Sequence, residues 1–322
     1  MKTLYWLIKR EFWEHRGGFL WAPLITGGVF LLLNVMGIIS GEVFGSRLGF
    51  NIGDRDGQNS LAAMIHSLDA RHMEIVGSGL DLAMLSATSL ISVVLFFVVF
   101  FYCLGALYDE RRDRSILFWK SLPVSDTATI VSKVIAATVL APIIAVVCGV
   151  LTGIAMLLLF AITLSLHGVS VWSLLMAAHP FQVTGFLIAS IPLYLMWALP
   201  TVGWLMLCSA WAKSKPILWA IVIPVAVGVM ISWFNLLGSA GLRSGWYWRD
   251  IAARILFSVF PGGWLRDAAM REFGNDAQSI SGFFTLSNSY AVLATPDIWI
   301  GIVAGAAMLA AAVWFRRWRD DN

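Results

Sequence analysis

The five histidines of this 322-residue chain are the first side chains to test for chemistry, because imidazole can bind metals and transfer protons. Their spacing does not match His-Glu-x-x-His, the pattern that puts two zinc ligands on one helical face. The closest polar group is His66, His72 and Glu74, in a Gly-rich polar stretch. Two interpretations stay open for it: solvated loop side chains, or the catalytic cluster of a membrane-embedded lipid-modifying enzyme.

Lysines test for nucleotide chemistry, since a phosphate-binding loop has the pattern GxxxxGK[ST]. None of the six lysines follows a glycine, so the chain is not expected to be its own P-loop ATPase. A Gly-x-Ser-x-Gly nucleophile elbow does not occur either. We therefore predict no catalytic residue, no metal ligand and no cofactor site in this chain, and we expect any ATP to be hydrolysed by another polypeptide.

Composition indicates where the chain lies. It is 59% hydrophobic and 13% charged, with a mean hydropathy of +0.80, whereas soluble proteins are about a quarter charged. This predicts an all-α integral membrane protein. A net charge of +3 gives no reason to expect a nucleic-acid partner. Cys103, Cys148 and Cys208 lie inside apolar runs without paired spacing, as small core residues do.

Six apolar runs are each long enough to cross a ~30 Å hydrocarbon core. They cover residues 19–40, 85–107, 128–166, 183–212, 216–236 and 298–315. The third run could hold one long helix or two spans. With one helix there, fourteen Lys and Arg side chains lie on the side of the two termini and eight on the other, which predicts cytoplasmic termini.

The segments outside these runs predict further helices. Residues 1–18 have apolar side chains at helical spacing, which predicts an interfacial helix at the membrane surface; a secretory signal is the alternative. An external helix is possible near residues 61–75. Short external helices, including 251–260, are expected before the sixth span and end at Pro261-Gly262-Gly263.

Glycines and prolines within the spans have two interpretations each. Gly149 with Gly153, and Gly301 with Gly305, form GxxxG patterns that serve either packing within the chain or contact between subunits. The span prolines are either hinges or fixed kinks; they are Pro142, Pro192, Pro200 and Pro224. Because the spans carry almost no ionisable residues, an ion-coupled carrier is disfavoured.

The loop at residues 108–127, between the second and third runs, is a charged island. Within it, the apolar block Ile116 to Trp119 precedes Leu122-Pro123, which predicts a helix of about two turns. Ser125 or Thr127 could cap the helix that follows. We expect the block to be exposed and to bind a partner protein, unless it inserts among the lipid headgroups.

This loop resembles the first cytoplasmic loop of the ABC type 2 (ABC-2) exporter permeases. The residues that carry the resemblance are Glu110, Arg111, Leu122, Pro123, Val124, Ser125 and Lys133. An Arg-Glu pair in the helix before the first span, Arg10-Glu11, is also similar to the family. The family often has a glycine soon after the loop arginine, where this chain has Arg112, Asp113 and Arg114.

The resemblance implies a permease subunit of an ATP-driven exporter in the bacterial cytoplasmic (inner) membrane. The loop would be the coupling helix that docks on a separate ATPase subunit, present in two copies and binding ATP and Mg, beside a second permease copy or a paralogue. The expected ATPase contacts are Glu110, Arg111, Arg114, Ile116, Leu117, Phe118, Trp119, Leu122 and Pro123. Aromatic-rich spans without buried charge favour a lipid-like or amphipathic substrate. A membrane anchor or assembly factor that transports nothing is the other alternative.

Overall fold

Every regular element is helical in the computed structural model, which describes residues 2–45, 70–121, 123–166, 178–237, 244–265 and 286–318. The α-helices are α1 (Lys2–Glu14), α2 (Ala22–Gly45), α3 (Ala70–Gly105), α4 (Tyr108–Arg112), α5 (Ser115–Ser121), α6 (Asp126–Ile135), α7 (Ala141–Leu166), α8 (Pro180–Trp211), α9 (Pro216–Leu236), α10 (Ser244–Trp246), α11 (Ala253–Phe257), α12 (Leu286–Tyr290) and α13 (Pro296–Trp318). Three π-helical stretches, Gly17–Trp21, Ala136–Leu140 and Tyr247–Ala252, lead into α2, α7 and α11, and a 3₁₀ turn covers Ala291–Ala294.

Six helices in the described ranges are long and apolar enough to cross a membrane. They run over Gly17–Gly41, Val76–Arg112, Asp126–Leu166, Pro180–Trp211, Pro216–Leu236 and Pro296–Trp318. The number of candidate spans in the described ranges is therefore as predicted, and it fits a multi-pass membrane protein. The third run is one continuous helical segment, in which α6 passes into α7 through the π-helical stretch.

The second span differs most from its predicted bounds. Hydropathy placed it at 85–107, whereas α3 is a 36-residue helix that begins at Ala70. Hydropathy marks only the part of a helix that suits hydrocarbon, and a helix can continue through polar residues once it leaves the membrane. The predicted helix near 61–75 lies mostly outside the described residues, and its last six positions belong to α3.

Both GxxxG patterns pack within the chain. A side chain on Gly203 of α8 would meet the carbonyl oxygen of Gly305 on α13 at 2.6 Å. Gly149 lies against Thr88 of α3, and Gly153 lies against Met84 of the same helix. Glycine thus lets the backbones of α8 and α13 approach closely, and on α7 it makes room for the Thr88 and Met84 side chains of α3.

Pro224 lies inside α9, and other elements supply hydrogen bonds to the carbonyls around it. A proline inside a helix has no N–H to donate, so the carbonyl four residues earlier loses its partner. Here that carbonyl belongs to Ala220, and the indole Nε1 of Trp204 on α8 donates to it at 3.0 Å. The Pro224 carbonyl in turn accepts a hydrogen bond from the Tyr247 hydroxyl at 2.8 Å.

Residues 244–265, which include the predicted external helix 251–260 and are named here the inserted segment, pack against the spans. The Thr201 hydroxyl of α8 donates to the Arg254 carbonyl at 2.8 Å and accepts from the Ser258 N–H at 2.9 Å. Thr201 precedes the end of α8 at Trp211 by ten residues, or about 15 Å along the axis. A turn that contains Gly262 at φ +83° ends the helical part of this segment.

Candidate functional site

A cluster of ionised side chains joins α1, α4, α6 and α13 at one end of the spans, named here the charged end. Glu11 is 0% exposed, Lys133 is 2% exposed and Arg316 is 5% exposed. Burying a charge without a partner costs several kcal/mol, so such groups are found paired. Contacts with residues of neighbouring helices supply these pairs.

Glu11 of α1 lies at the centre of the first half of the cluster. Its carboxylate accepts hydrogen bonds from Lys133 Nζ at 3.1 and 3.3 Å, from the Tyr102 hydroxyl at 2.8 Å and from the neighbouring Arg10. Burial alone would raise the pKa of Glu11, but Lys133 and Arg10 outweigh it and hold that pKa below its ordinary value. The carboxylate is therefore ionised at neutral pH.

Glu110 of α4 connects the two halves. One carboxylate oxygen lies 3.1 Å from Lys133 Nζ, and the other accepts from Arg316 Nη1 at 2.7 Å. Arg316 Nε donates in turn to the Asp126 carboxylate at 2.9 Å, in the first turn of α6. A continuous chain of opposite charges therefore runs from α1 through α4 and α6 to the end of α13.

Arg111, next to Glu110, attaches the same loop to α8. Its guanidinium donates to the carbonyls of Ser209 and Ala212, the latter at 3.0 Å, at the C-terminus of α8. The Ser209 hydroxyl accepts the N–H groups of Leu107 and Tyr108 at 3.0 and 2.9 Å, where the backbone turns between α3 and α4. Each of these contacts supplies a hydrogen-bond partner to a backbone N–H or C=O group that lacks one at a helix end.

Helix α5 is the predicted helix of the charged island, and its apolar block is less exposed than predicted. Ile116 is 5% exposed, so the expectation that it lies uncovered is wrong. Trp119 is half-buried, with the Arg10 guanidinium 3.9 Å from its ring centroid. The side chains of Leu117 and Phe118, and the whole of Leu122, lie outside the described residues.

The remaining predicted contacts are exposed. Arg114 sits between α4 and α5 with φ +55°, a left-handed conformation that glycine adopts at little cost. Pro123 is exposed, and Ser125 caps α6 by accepting the Ala128 N–H at 3.2 Å. Of the two predicted caps, Ser125 is therefore the one that functions.

Sequence reasoning missed the pairing of Glu110 and Arg111 inside the chain. It assigned both to partner contact, whereas their described contacts are with Lys133, Arg316 and the end of α8. The partner residues Glu11, Asp126 and Arg316 were not singled out as site residues. One indication was available: charges of opposite sign stand at the ends of several apolar runs, where helix ends meet.

The alternative polar cluster stays untested. His66 lies outside the described residues, as do the side chains of His72 and Glu74. Among the residues that are described, no group of three or more His, Cys, Asp or Glu side chains is placed to hold a metal ion. The three cysteines are buried thiols, in agreement with their predicted role in the core.

Comparison of the chain with protein-family models, with curated proteins and with solved structures gives no match.

Proposed function

We propose that this chain is the membrane-spanning permease subunit of an ATP-driven exporter of the ABC-2 type. The observation that carries the proposal is the mounting of α5, a short helix between the second and third spans. The helix before it, α4, is joined by Glu110 to Arg10 of α1, to α6 and to α13, and by Arg111 to the end of α8. A helix mounted in this way can pass a displacement on to the spans.

The stiffness of that mounting follows from burial. Glu11, Lys133, Glu110 and Arg316 exchange hydrogen bonds in surroundings with little water, where a charge separated from its partner is costly. A push on α5 therefore moves the ends of α1, α6, α8 and α13 together. The energy comes from ATP and Mg bound by two copies of a separate ATPase subunit, since this chain has no P-loop.

Charge supports the orientation of the proposed complex. Fourteen of the twenty-two Lys and Arg residues belong to the side of the two termini and α5, in short segments next to the spans. By the positive-inside rule this side faces the cytoplasm of a bacterial cell, where an ATPase is available. A second permease copy or a paralogue completes the transmembrane pathway in this proposal.

The proposed contact surface is revised by the geometry. Arg114, Leu117, Phe118, Trp119, Leu122 and Pro123 keep their role as ATPase contacts. Glu110, Arg111 and Ile116 hold the helix in place from within the chain. This division predicts two classes of variant, one that loses the ATPase and one that loses stability.

Purification of the full chain from its native membranes tests the proposal. We expect a polypeptide with a P-loop to co-purify with the wild type and to be lost in Phe118→Asp, because a carboxylate in an apolar docking groove would have no partner. Trp119→Asp should act in the same direction. The matched control is Leu166→Asp, at the C-terminus of α7. Leu166 is also an exposed apolar residue, and this variant should still co-purify with the ATPase.

Two results would count against this function. One is a wild-type preparation without any ATPase; the other is equal recovery of the ATPase with Phe118→Asp and with Leu166→Asp. Monodisperse elution of each variant in detergent shows that the chain has folded, so that loss of the partner is not confused with loss of structure.

A further inference from the structure

Two of the spans begin with the same interruption of the α-helix. The π-helical stretch Gly17–Trp21 lies between α1 and α2, and the π-helical stretch Ala136–Leu140 lies between α6 and α7. The hydrogen bond that closes each stretch runs back over five residues, to the Gly17 carbonyl in the first and to the Ala136 carbonyl in the second. Single π-helical turns inside α-helices are rare and occur frequently at functional sites.

The local sequence gives both interruptions the same cause. Each stretch is followed by Ala-Pro, so that Pro23 and Pro142 are the second residues of α2 and α7. Proline has no N–H to donate, and its ring collides with the carbonyl four residues earlier, which belongs to Phe19 or to Thr138. A wider π-helical turn moves that carbonyl away from the ring. The hydrogen-bond ladder is therefore weakened at the same place in two helices.

The helices on either side of the two stretches are joined to each other in pairs. Before the stretches, Glu11 of α1 accepts a hydrogen bond from Lys133 of α6 at 3.1 Å. After them, Gly27 of α2 packs against Thr152 of α7, where a side chain on the glycine would collide with the threonine hydroxyl. The first stretch contacts α7 and the second contacts α1, so the two lie at neighbouring levels. Bending at both would tilt the pair α1–α6 relative to the pair α2–α7.

Helices α8 and α13 enter the charged end without such an interruption, since both are α-helical along their whole length. The close contact of Gly203 with Gly305 holds the two helices together. Arg316 at the end of α13 donates to Glu110, and Arg111 donates to the Ala212 carbonyl at the end of α8. A displacement of the charged end therefore reaches α8 and α13 through continuous helices.

We propose that the two π-helical stretches are paired hinges, at which the charged end tilts relative to α2 and α7 while α8 and α13 follow it. Apolar side chains of α3 and α8 belong to one core, and packed helices can slide past each other by small shear movements. As the route by which a push on α5 reaches the membrane, this pair of hinges rests on the proposed function. The movement itself is a property of the chain alone.

A cavity of about 1200 Å³ lies where the helices would slide. Val93 and Phe97 of α3 line one side of it, and α8, α13 and the inserted segment line the other, for example with Pro200 and Met308. Sliding of α8 and α13 past α3 changes the width of this cavity and leaves the contacts within each pair of helices in place. The hinges thus connect the charged end to the size of a space between the spans.

Distances between spin labels in the purified full chain, in lipid nanodiscs, test the hinges without an ATPase. The labels are carried by an unnatural amino acid at exposed positions, and the pair Leu151 and Val303 compares α7 with α13. Two control pairs stay within one moving unit: Ile25 with Ile162 for α2 and α7, and Ile188 with Val303 for α8 and α13. We expect the first pair to give a distance distribution at least about twice as wide as the controls, because π-bulges permit sharp kinks.

Variants test whether the prolines cause the movement. Alanine restores an N–H donor to each interrupted turn, so Pro23→Ala combined with Pro142→Ala should narrow the distribution between Leu151 and Val303 to the control width. The matched control is Pro192→Ala, inside α8, which should leave the distribution unchanged. Amide hydrogens of the two π-helical stretches should exchange at least about tenfold faster in the wild type than in the double variant.

Equal widths for the three label pairs in the wild type would overturn the proposal, and this comparison needs no variant. An unchanged width in the double variant, equal amide exchange, or the same narrowing by Pro192→Ala would overturn it too. Because no ATPase is present in this experiment, failure here leaves co-purification with Phe118-dependent partners intact, and failure of co-purification leaves these distances intact.

Discussion

The charged end and the inserted segment hold the helices together by different means. At the charged end, Glu11, Lys133, Glu110 and Arg316 connect helices through buried ion pairs. The inserted segment is bonded to the spans through hydroxyl and indole groups, as in the contacts of Thr201 with the backbone. Ion pairs make the first region costly to deform, whereas the second encloses a cavity beside Arg254. The difference fits the coupling role that we propose for the charged end.

The largest predicted effect comes from breaking the ion cluster. Lys133→Ala leaves the Glu11 carboxylate buried without its buried cationic partner and should lower the free energy of unfolding by about 3–5 kcal/mol. Denaturant unfolding in mixed micelles measures it. The control is Lys213→Ala, an exposed lysine at the same end, which should change stability by less than about 0.5 kcal/mol. Similar losses in the two variants would contradict a structural role for the cluster.

A smaller effect is expected where the inserted segment is attached. Thr201→Val removes one donor and one acceptor from a buried position and should cost about 1–3 kcal/mol. Thr26→Val is the matched control, since the Thr26 hydroxyl bonds only within its own helix, to the Ala22 carbonyl at 2.8 Å. Equal costs would show that the segment does not depend on this attachment.

The charged end should also lose stability in acid. The pKa of Glu11 in the folded protein lies below its ordinary value of 4.5. Its stabilising contribution is therefore complete above about pH 4.5 and is lost as the pH falls through the lowered pKa, with a slope of at most about 1.4 kcal/mol per pH unit. Acid unfolding curves should be less steep in Glu11→Gln than in the wild type. Superimposable curves would rule out this contribution.

The smallest effect concerns the turn that leads into α5. Arg114 has φ +55°, so Arg114→Gly relieves a strained backbone and should raise the free energy of unfolding by about 0.5–1 kcal/mol. Arg112→Gly, at the last residue of α4, should instead lower the free energy of unfolding by a similar amount, because glycine disfavours the helix. Denaturant midpoints compare the two, and a loss of stability in Arg114→Gly would mean that the turn is not strained.

Hydropathy predicted the spans well because about twenty apolar residues must stay together to cross a bilayer. It found the fifth span at Pro216–Leu236, and charge counting indicated that α6 and α7 form one segment. It failed at the start of α3, where polar residues continue the helix outside the apolar stretch. Periodicity and hydropathy describe one helix at a time.

Contacts between helices distant in sequence were out of reach for the same reason. Lys133 and Glu11 are separated by 122 residues, and Arg316 and Glu110 by 206. Nothing in the local pattern says which of several charges at the helix ends will pair. The position of Arg254 depends on the inserted segment packing against the spans, which an amphipathic pattern does not distinguish from a helix on the membrane surface.

The most direct test of the coupling role places a photo-cross-linking residue at position 118 of α5 in native membranes, with position 166 as the control. We expect a cross-link from position 118 to a P-loop ATPase, with a yield that changes when ATP and vanadate are added, and none from position 166. A cross-link from position 118 only to lipid, to this chain itself or to a protein outside the cytoplasm would contradict it.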